Sequence, residues 1–245
     1  DGTLKLIQTL DQRLESIESL GIKYAVIVPF NQNFATLSSL EFVQKILKET
    51  LKVESAVVGE NFRFGKDREG DISQLIRFGK RFGFRVHEIS SVEKNGRRVS
   101  SSLIRSMLEA GSIEEANQFL GRNYEIRGKV VKGMSRGKAL GFPTANIKSE
   151  NEIVPPGVFI SEAIIDNKKY LSMTNVGHRP TFGPEELHVE SYLLNLKNDI
   201  YGKKISLSFI KKMREERKFT SVDQLATQLR KDLKMTKSYF KLQRR

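Results

Sequence analysis

Tyr124-Glu-Ile-Arg-Gly-Lys-Val130 places an apolar or small residue at every second position and a charged residue between them. This period is typical of a strand with one buried and one solvated face. The same alternation returns over 205–209, and further strands are predicted over 158–165, 170–175 and 187–196. Several such strands with turn residues between them predict an antiparallel sheet curled into a small barrel.

The chain before this stretch has a different pattern, in which helices alternate with short apolar runs. Thr9 and Ser38 each stand three residues before a Gln or Glu, which is the spacing of a capping box at a helix start. Further helices are predicted over 71–82, 101–110 and 112–120, buried strands over 24–28 and 55–59, and a third strand over 84–89. This alternation predicts an α/β domain with a doubly wound, Rossmann-like parallel sheet.

The predicted parallel sheet looks incomplete, because open sheets of this kind usually have about five strands or more. We expect either that more strands precede Asp1 in the natural protein or that this half is a remnant, and we favour the first. The domain boundary is placed at Gly121, where a helix ends. Residues 1–121 then form the partial α/β domain, and residues 122–245 form the barrel with a C-terminal helix capped by Ser221.

Composition narrows the class of protein. The 245 residues contain no cysteine, no apolar run of membrane-spanning length and no signal-peptide pattern, so a cytoplasmic protein without disulfides is expected. The net charge of +13 suggests a polyanionic ligand, and residues 203–245 hold 14 Lys and Arg against 4 Asp and Glu. No RNA-binding or DNA-binding signature accompanies this charge, so small phosphate ligands are preferred to nucleic acid. A monomer is expected.

Gly133-Met-Ser-Arg-Gly137-Lys138-Ala-Leu-Gly141-Phe-Pro-Thr144-Ala-Asn146 is the first stretch that indicates chemistry. Glycines in a loop let backbone N–H groups approach an anion, and Lys138 adds positive charge. The Thr144 hydroxyl and the Asn146 amide oxygen are suitable ligands for Mg²⁺ bound to phosphates. From composition alone, an ordinary basic turn explains this loop at least as well.

The end of that stretch resembles the PTAN signature of the riboflavin kinase family. Three further stretches agree in order, namely Gly157-Val-Phe159, Asn175-Val-Gly-His-Arg-Pro-Thr-Phe182 and Val189-Glu-Ser-Tyr-Leu-Leu194. The resemblance implies a small antiparallel barrel that phosphorylates riboflavin with Mg·ATP. It implies that Thr144 and Asn146 bind the metal and nucleotide. Gly133, Gly137 and Lys138 are expected to contact the nucleotide because of the composition of the loop.

Glu190 is the predicted catalytic base. In the family, the Glu at this position takes the proton of the flavin 5′-hydroxyl, as a carboxylate does in kinase chemistry generally. Alternation along the strand predicts that Glu190 shares a face with His188, Tyr192 and Leu194. Arg214 and Glu216 resemble a family segment that lies against the flavin, although a solvated charge cluster remains the other interpretation of these two residues.

Two motifs in the first half resemble those of FMN adenylyltransferases. Val58-Gly-Glu-Asn-Phe-Arg-Phe-Gly65 follows a predicted strand, and it implies flavin contacts from Asn61, Phe62 and Arg63, with Asn61 replacing the family's usual Asp. Val99-Ser-Ser-Ser-Leu-Ile-Arg105 resembles a phosphate-binding motif at a helix N-terminus. It implies nucleotide contacts from Ser101, Ser102 and Arg105. Taken alone, this second stretch is also a plain serine-rich helix cap.

The H-x-G-H pair used by that superfamily is missing from this sequence, whose histidines are His87, His178 and His188. We therefore expect FMN production from this chain, and FAD production only if a segment with the histidine pair is present. Riboflavin, FMN and ATP are the expected ligands, with flavin as both substrate and product. The alternative is a basic flavin-sensing protein that binds RNA or regulates without turnover.

Overall fold

A computed structural model describes residues 4–133, 140–178 and 187–243 of the chain. The chain forms two compact units, Asp1–Leu20 with Ser100–Arg245 and Gly21–Val99. In chain order the helices are α1 (Leu10–Ser19), α2 (Gln32–Ala35), α3 (Ser39–Glu41), α4 (Ile72–Phe82), α5 (Ser101–Glu109), α6 (Ile113–Leu120) and α7 (Val222–Gln243). The strands are β1 (Ser55–Gly59), β2 (Arg85–Ile89), β3 (Glu93–Lys94), β4 (Arg97–Arg98), β5 (Tyr124–Val131), β6 (Thr144–Ser149), β7 (Gly157–Ile165), β8 (Lys168–His178), β9 (Leu187–Leu193) and β10 (Lys204–Arg214).

The larger unit is built on a closed antiparallel barrel, which confirms the fold predicted from the alternating pattern. Across the described residues the barrel has six strands, in the order β10-β5-β6-β9-β8-β7. Tyr124, Phe159 and Phe209 are buried inside it, and the Phe159 and Phe209 rings meet edge to face with centroids 5.1 Å apart. Burial of these large aromatic side chains is a main stabilising contribution to this core.

The strand β6 was not among the predicted strands. Its sequence, Thr-Ala-Asn-Ile-Lys-Ser, has only two apolar side chains, Ala145 and Ile147, and it follows directly on a glycine-rich loop. Both apolar side chains are buried in the barrel, so Thr144, Asn146 and Lys148 lie on the outer face. The residues that resemble the PTAN signature therefore lie on a barrel strand.

Four hydroxyl side chains form a buried chain of hydrogen bonds inside the barrel. Ser161 lies 2.8 Å from Ser172 and 2.7 Å from Thr174, and Thr174 lies 2.9 Å from Ser191, measured between hydroxyl oxygens. All four residues are fully buried. Because each hydroxyl has a partner within the chain, these polar groups avoid the cost of unsatisfied burial.

Helix α1 packs within the same unit, and its predicted capping box at Thr9 is confirmed. Gln12 is buried, and its side chain donates to the Glu125 carbonyl at 3.0 Å and accepts from Asn151 at 2.7 Å. Glu15 accepts a hydrogen bond of 2.6 Å from the Arg127 guanidinium, which lowers the pKa of the Glu15 carboxyl. Helix α1 is thereby attached to strand β5 and to the segment that follows β6.

The smaller unit contains a parallel pair, β1 and β2, in which Ser55 is opposite Arg85 and Gly59 is opposite Ile89. Helix α4 begins at the predicted position, where the Asp71 side chain accepts from the Gln74 N–H at 2.7 Å. A small core of Val43, Phe64, Leu75 and Phe84 lies beside this sheet. Helix α3 starts at the predicted Ser38 capping box and continues as a π-helix over Phe42–Thr50.

The predicted buried strand over 24–28 is wrong. These residues have no regular secondary structure, and Tyr24 is 88% exposed and Val26 is 65% exposed. A strand needs a neighbouring backbone to pair with, and within the described residues β1 pairs only with β2. The apolar sequence of β1 suggests a strand that is buried on both faces. For the same reason β1 is not buried in this way, and Val57 is 66% exposed.

The sequence interpretation also missed the short hairpin β3–β4. Its turn is Asn95-Gly96, and both residues have positive φ, 53° and 68°. Asn-Gly is the most favourable pair for a tight hairpin turn, so this signal was available in the sequence.

The domain boundary at Gly121 stays a prediction. Gly121 does end α6, with φ of 71° in the left-handed region. Helices α5 and α6, however, group with the barrel in the larger compact unit, as does the segment Asp1–Leu20. The compact units therefore divide the chain after Leu20 and after Val99, whereas the sequence pattern places the boundary at Gly121.

Helix α7 begins after Ser221, whose side chain accepts from the Gln224 N–H at 3.2 Å, as predicted. Its principal polar attachment to the barrel is Asp232, which is 1% exposed. The Arg214 guanidinium donates to the Asp232 carboxylate through Nη2 at 2.8 Å and Nε at 3.2 Å. Gln228 donates to the other carboxylate oxygen at 2.7 Å, so the buried charge is well compensated.

Candidate active site

Three neighbouring strands bring polar side chains together on the outer face of the barrel. In the register of β6, β9 and β8, Asn146 is opposite Glu190, and Glu190 is opposite Asn175. The inward neighbours Ala145 and Ser191 are buried, which places these three polar residues on the opposite, outward face. Directly opposed side chains on one sheet face have Cβ atoms about 5 Å apart, so Glu190 lies between two amides.

The next row on this face is formed by Thr144, Tyr192 and Met173, again in register. The Tyr192 ring packs edge to face against Phe142, with centroids 5.3 Å apart. Glu190 thus shares its face with Tyr192 and His188, as alternation predicts. Leu194 is buried beyond the end of β9 and is not part of the strand face.

Asn146 lies against Gly133, at the point where β5 leads into the glycine-rich loop. A Cβ on Gly133 would coincide with the Asn146 side-chain amide, so the close approach requires glycine here. Thr144 and Asn146, on the same outward face of β6, offer a hydroxyl and an amide oxygen. This hard oxygen set fits Mg²⁺ that keeps several waters and binds phosphates.

A cleft of about 860 Å³ adjoins Asn146 and His188. Lys132 and Lys148 also line it, and neither was among the residues predicted for the site. Lys148 stands two positions after Asn146 on the same strand, so alternation could have placed both side chains on one face. With Lys5, Glu109 and Glu152, the lining holds three lysines and two glutamates, and the net positive charge favours an anion.

Glu216 reaches the outer face from the segment after β10. Its carboxylate lies over Gly177, which is opposite His188 in the register of β8 and β9. The other residue predicted from that segment, Arg214, is paired with Asp232 and lies 5.8 Å from the centre of the Phe219 ring. Two further predicted site residues, Gly137 and Lys138, lie outside the described residues.

In the smaller unit, the predicted flavin residues Asn61, Phe62 and Arg63 follow β1 in a loop and line a cavity of about 400 Å³. Phe62 stacks on Phe64 with centroids 5.5 Å apart, and Arg63 lies 3.8 Å from Asp71. The Asn61 side-chain amide faces the Arg98 guanidinium. With its oxygen turned toward that group, Asn61 accepts hydrogen bonds from Arg98. Contacts with Phe64, Asp71 and Arg98 therefore hold the loop after β1 in place.

The predicted phosphate motif lies at the start of α5, where Ser100 is the cap and accepts from the Leu103 N–H at 3.2 Å. Ser101 and Ser102 are exposed in the first turn. Arg105 donates through Nε to the Lys5 carbonyl at 2.8 Å. The structure therefore brings Thr144, Asn146 and Glu190 together on the barrel, and it places Ser101, Ser102 and Arg105 on a separate helix.

Two family models match the chain, the riboflavin kinase model over residues 120–240 and the FAD synthetase model over residues 2–103. Among curated relatives, the bifunctional riboflavin kinase/FMN adenylyltransferase of Buchnera aphidicola is 35% identical over 97% of this chain and 78% of its own length. Those of Escherichia coli and Bacillus subtilis are 33% and 36% identical, and in each case this chain spans 75% of the relative.

A crystal structure described as a macrolide-efflux protein from Streptococcus pneumoniae is also similar, with a TM-score of 0.86 and 30% identity. The match covers 94% of this chain and 75% of that one. Of the helices that the structure describes here, none has the length and apolar character needed to cross a membrane. The riboflavin kinase model covers the motifs on the barrel, the FAD synthetase model covers the motif at residues 58–65, and the chain belongs to the bifunctional riboflavin kinase/FMN adenylyltransferase family.

Proposed function

We propose that this chain is a riboflavin kinase, which transfers the γ-phosphoryl group of ATP to the 5′-hydroxyl of riboflavin and releases FMN and ADP. The observation that supports it best is the register of the barrel, which sets Glu190 between Asn146 and Asn175. In kinases, a carboxylate accepts the substrate hydroxyl proton close to the residues that hold the metal ion, and Glu190 beside Asn146 would fit that arrangement.

Glu190 accepts the proton of the riboflavin 5′-hydroxyl as that oxygen forms its bond to the γ-phosphorus. The bond from the γ-phosphorus to the bridging oxygen breaks at the same time, and ADP leaves with the electron pair. General-base assistance of this kind contributes about 10²–10⁴-fold to a rate. Neighbouring amides at Asn146 and Asn175 can orient the carboxylate or the substrate by hydrogen bonding.

Thr144 and Asn146 would hold Mg²⁺, which neutralises charge on the ATP phosphates when it is bound. Lys132 and Lys148, in the adjoining cleft, would attract the triphosphate. We also propose that the loop containing Gly133, Gly137 and Lys138 contacts the phosphates of ATP. Arg214 and Glu216 are proposed on the flavin side, with Glu216 as the nearer of the two to the outer face.

We propose that the α/β half takes part in the family's second reaction, the adenylylation of FMN to FAD, in a protein that also carries the H-x-G-H pair. The loop after β1 is the proposed flavin-binding part, with Asn61, Phe62 and Arg63, because ligands bind beyond the carboxyl ends of parallel strands. Ser101, Ser102 and Arg105 are the proposed phosphate-binding part. FAD formation by this chain alone is not expected, since none of its histidines stands in an H-x-G-H pattern.

Incubation of the purified chain with riboflavin, ATP and MgCl₂, followed by chromatographic separation of flavins, tests the kinase proposal. FMN and ADP should form in equal amounts, and EDTA should stop their formation. The same chromatogram measures FAD separately. Absence of FMN from a folded, Mg²⁺-supplied sample would contradict the proposal, whereas FAD in the product would contradict only the expectation about the histidine pair.

Substitution of Gly133 by Ala should raise the KM for Mg·ATP roughly tenfold, because the new Cβ displaces the Asn146 amide from its position. The displaced atoms are the end of a side chain, so the thermal midpoint should change little. Gly59→Ala in the smaller unit is the matched control, since a Cβ there meets nothing within 4 Å. A normal KM in Gly133→Ala would argue against nucleotide or metal binding by Asn146.

We also propose that the chain acts as a monomer in the cytoplasm, without a nucleic-acid partner. The lack of cysteine supports the location, since a reducing compartment imposes no need for disulfides. Light scattering coupled to size-exclusion chromatography tests the monomer. The RNA-binding alternative predicts RNA affinity that falls steeply with salt, and the two matching family models describe enzymes.

A further inference from the structure

Gly177 occupies a critical position on the outer face of β8. It is two residues from Asn175 and therefore on the same face, about 7 Å further along the strand. In the register it is opposite His188, the neighbour of Glu190 on the face of β9. Gly177 itself is buried, because the Glu216 carboxylate covers it.

The Glu216 carboxylate fills the volume in which any other residue at position 177 would have its Cβ. The three atoms nearest to that Cβ position are both carboxylate oxygens and the carbon between them. A side chain at 177 and the present position of this carboxylate are therefore mutually exclusive. The atoms in conflict are the end of a flexible side chain, so they can swing away without unfolding the barrel.

The segment that carries Glu216 is attached to helix α7 through Arg214. Arg214, at the end of β10, donates to the Asp232 carboxylate at 2.8 and 3.2 Å. Asp232 is 1% exposed and also accepts from Gln228. The backbone is thus attached two residues before Glu216, and Gly177 provides the open surface on which its carboxylate lies.

We propose that Gly177 is a positioning residue for the kinase reaction, because it lets the Glu216 carboxylate lie on β8 beside the face that bears Glu190. The inference rests on the proposed function and deepens it. A second carboxylate at this edge accepts hydrogen bonds from a substrate rich in hydroxyl groups, as the ribityl chain of riboflavin is. Gly177 acts on that substrate only through Glu216.

A double-mutant cycle of Gly177→Ala and Glu216→Ala, assayed by FMN formation, tests this inference. Each single variant should lower kcat/KM for riboflavin roughly tenfold and leave the KM for Mg·ATP within about twofold. The double variant should be no worse than Glu216→Ala alone, because the added Cβ then has nothing to displace. Non-additivity of this size is expected only of residues that act through one contact.

Losses that multiply to roughly a hundredfold in the double variant would overturn the inference, as would normal riboflavin kinetics in Gly177→Ala. If Gly177→Ala fails to fold, the double variant decides: folding with the kinetics of Glu216→Ala supports the inference, and failure to fold overturns it. Thermal midpoints of the four proteins report the contact without any activity. These midpoints therefore distinguish failure of this inference from failure of the kinase proposal. The kinase proposal fails if the wild-type chain makes no FMN.

Discussion

Replacement of Glu190 by Gln is expected to lower the kcat for FMN formation by about 10²–10⁴-fold, the range that general-base catalysis contributes. Gln has the same shape and keeps hydrogen bonding possible with Asn146 and Asn175, the residues opposite it in the barrel. It cannot accept the proton of the 5′-hydroxyl. Rapid-quench or steady-state measurement of FMN gives the rate, and calorimetric titration with Mg·ADP should show unchanged nucleotide affinity.

Glu162→Gln is the matched control for that variant. Glu162 also lies on a barrel strand, β7, and it forms an ion pair with Lys169 at 3.2 Å; it is opposite Leu171, four residues along β8 from Asn175. The same chemical change there should leave turnover near the wild-type value. A Glu190→Gln protein with near-normal kcat would remove Glu190 from the role of base and leave the kinase proposal without its central residue.

Asp232→Asn is expected to reduce the free energy of unfolding by about 2–3 kcal/mol, as does loss of charge from one partner of a buried, hydrogen-bonded pair. The Arg214 guanidinium keeps its charge in a position that is only 20% exposed, while the side chain at 232 is 2% exposed. Urea unfolding followed by circular dichroism measures the effect. We expect a lower midpoint with an unchanged dependence on urea concentration.

Asp166→Asn provides the comparison, because Asp166 pairs with Lys203 in a position where both side chains are largely exposed, 61% and 43%. Asn tolerates the positive φ of 49° at this turn. Exposed ion pairs contribute little, so its unfolding curve should nearly superimpose on that of the wild type. Equal losses in the two variants would mean that burial of Asp232 does not control the strength of its ion pair.

The barrel could be predicted from the sequence because β5 and β10 show the period of a half-buried strand and β7, β8 and β9 could be identified as further strands, whereas β6 was missed. Helix starts at Thr9, Ser38, Asp71 and Ser221 were predictable for a local reason, since a cap and its partner are within three residues of each other. The run over 24–28 shows the limit of the method. Its apolar sequence is that of a buried strand, but burial depends on a partner that the run itself does not encode.

The residues of the candidate site could be proposed from the sequence, but their arrangement in space could not. Asn146 and Glu190 are far apart in sequence, and only the pairing of β6 with β9 sets them opposite each other. The contacts of Asn146 with Gly133 and of Glu216 with Gly177 depend on space that the glycines leave open. Motif resemblance gave no sign of Lys132 and Lys148, which border the cleft from positions just before and just after the stretch that ends at Asn146.

The hydroxyl chain of Ser161, Ser172, Thr174 and Ser191 has a consequence for how this barrel can change during evolution. Loss of a central hydroxyl removes the hydrogen bond of a fully buried end member, of Ser172 when Ser161 changes and of Ser191 when Thr174 changes, which costs about 1–3 kcal/mol. Replacement of all four by apolar residues of similar volume avoids that cost. Apolar residues at 161 and 174 are therefore expected to occur together with apolar residues at 172 and 191, respectively, among relatives.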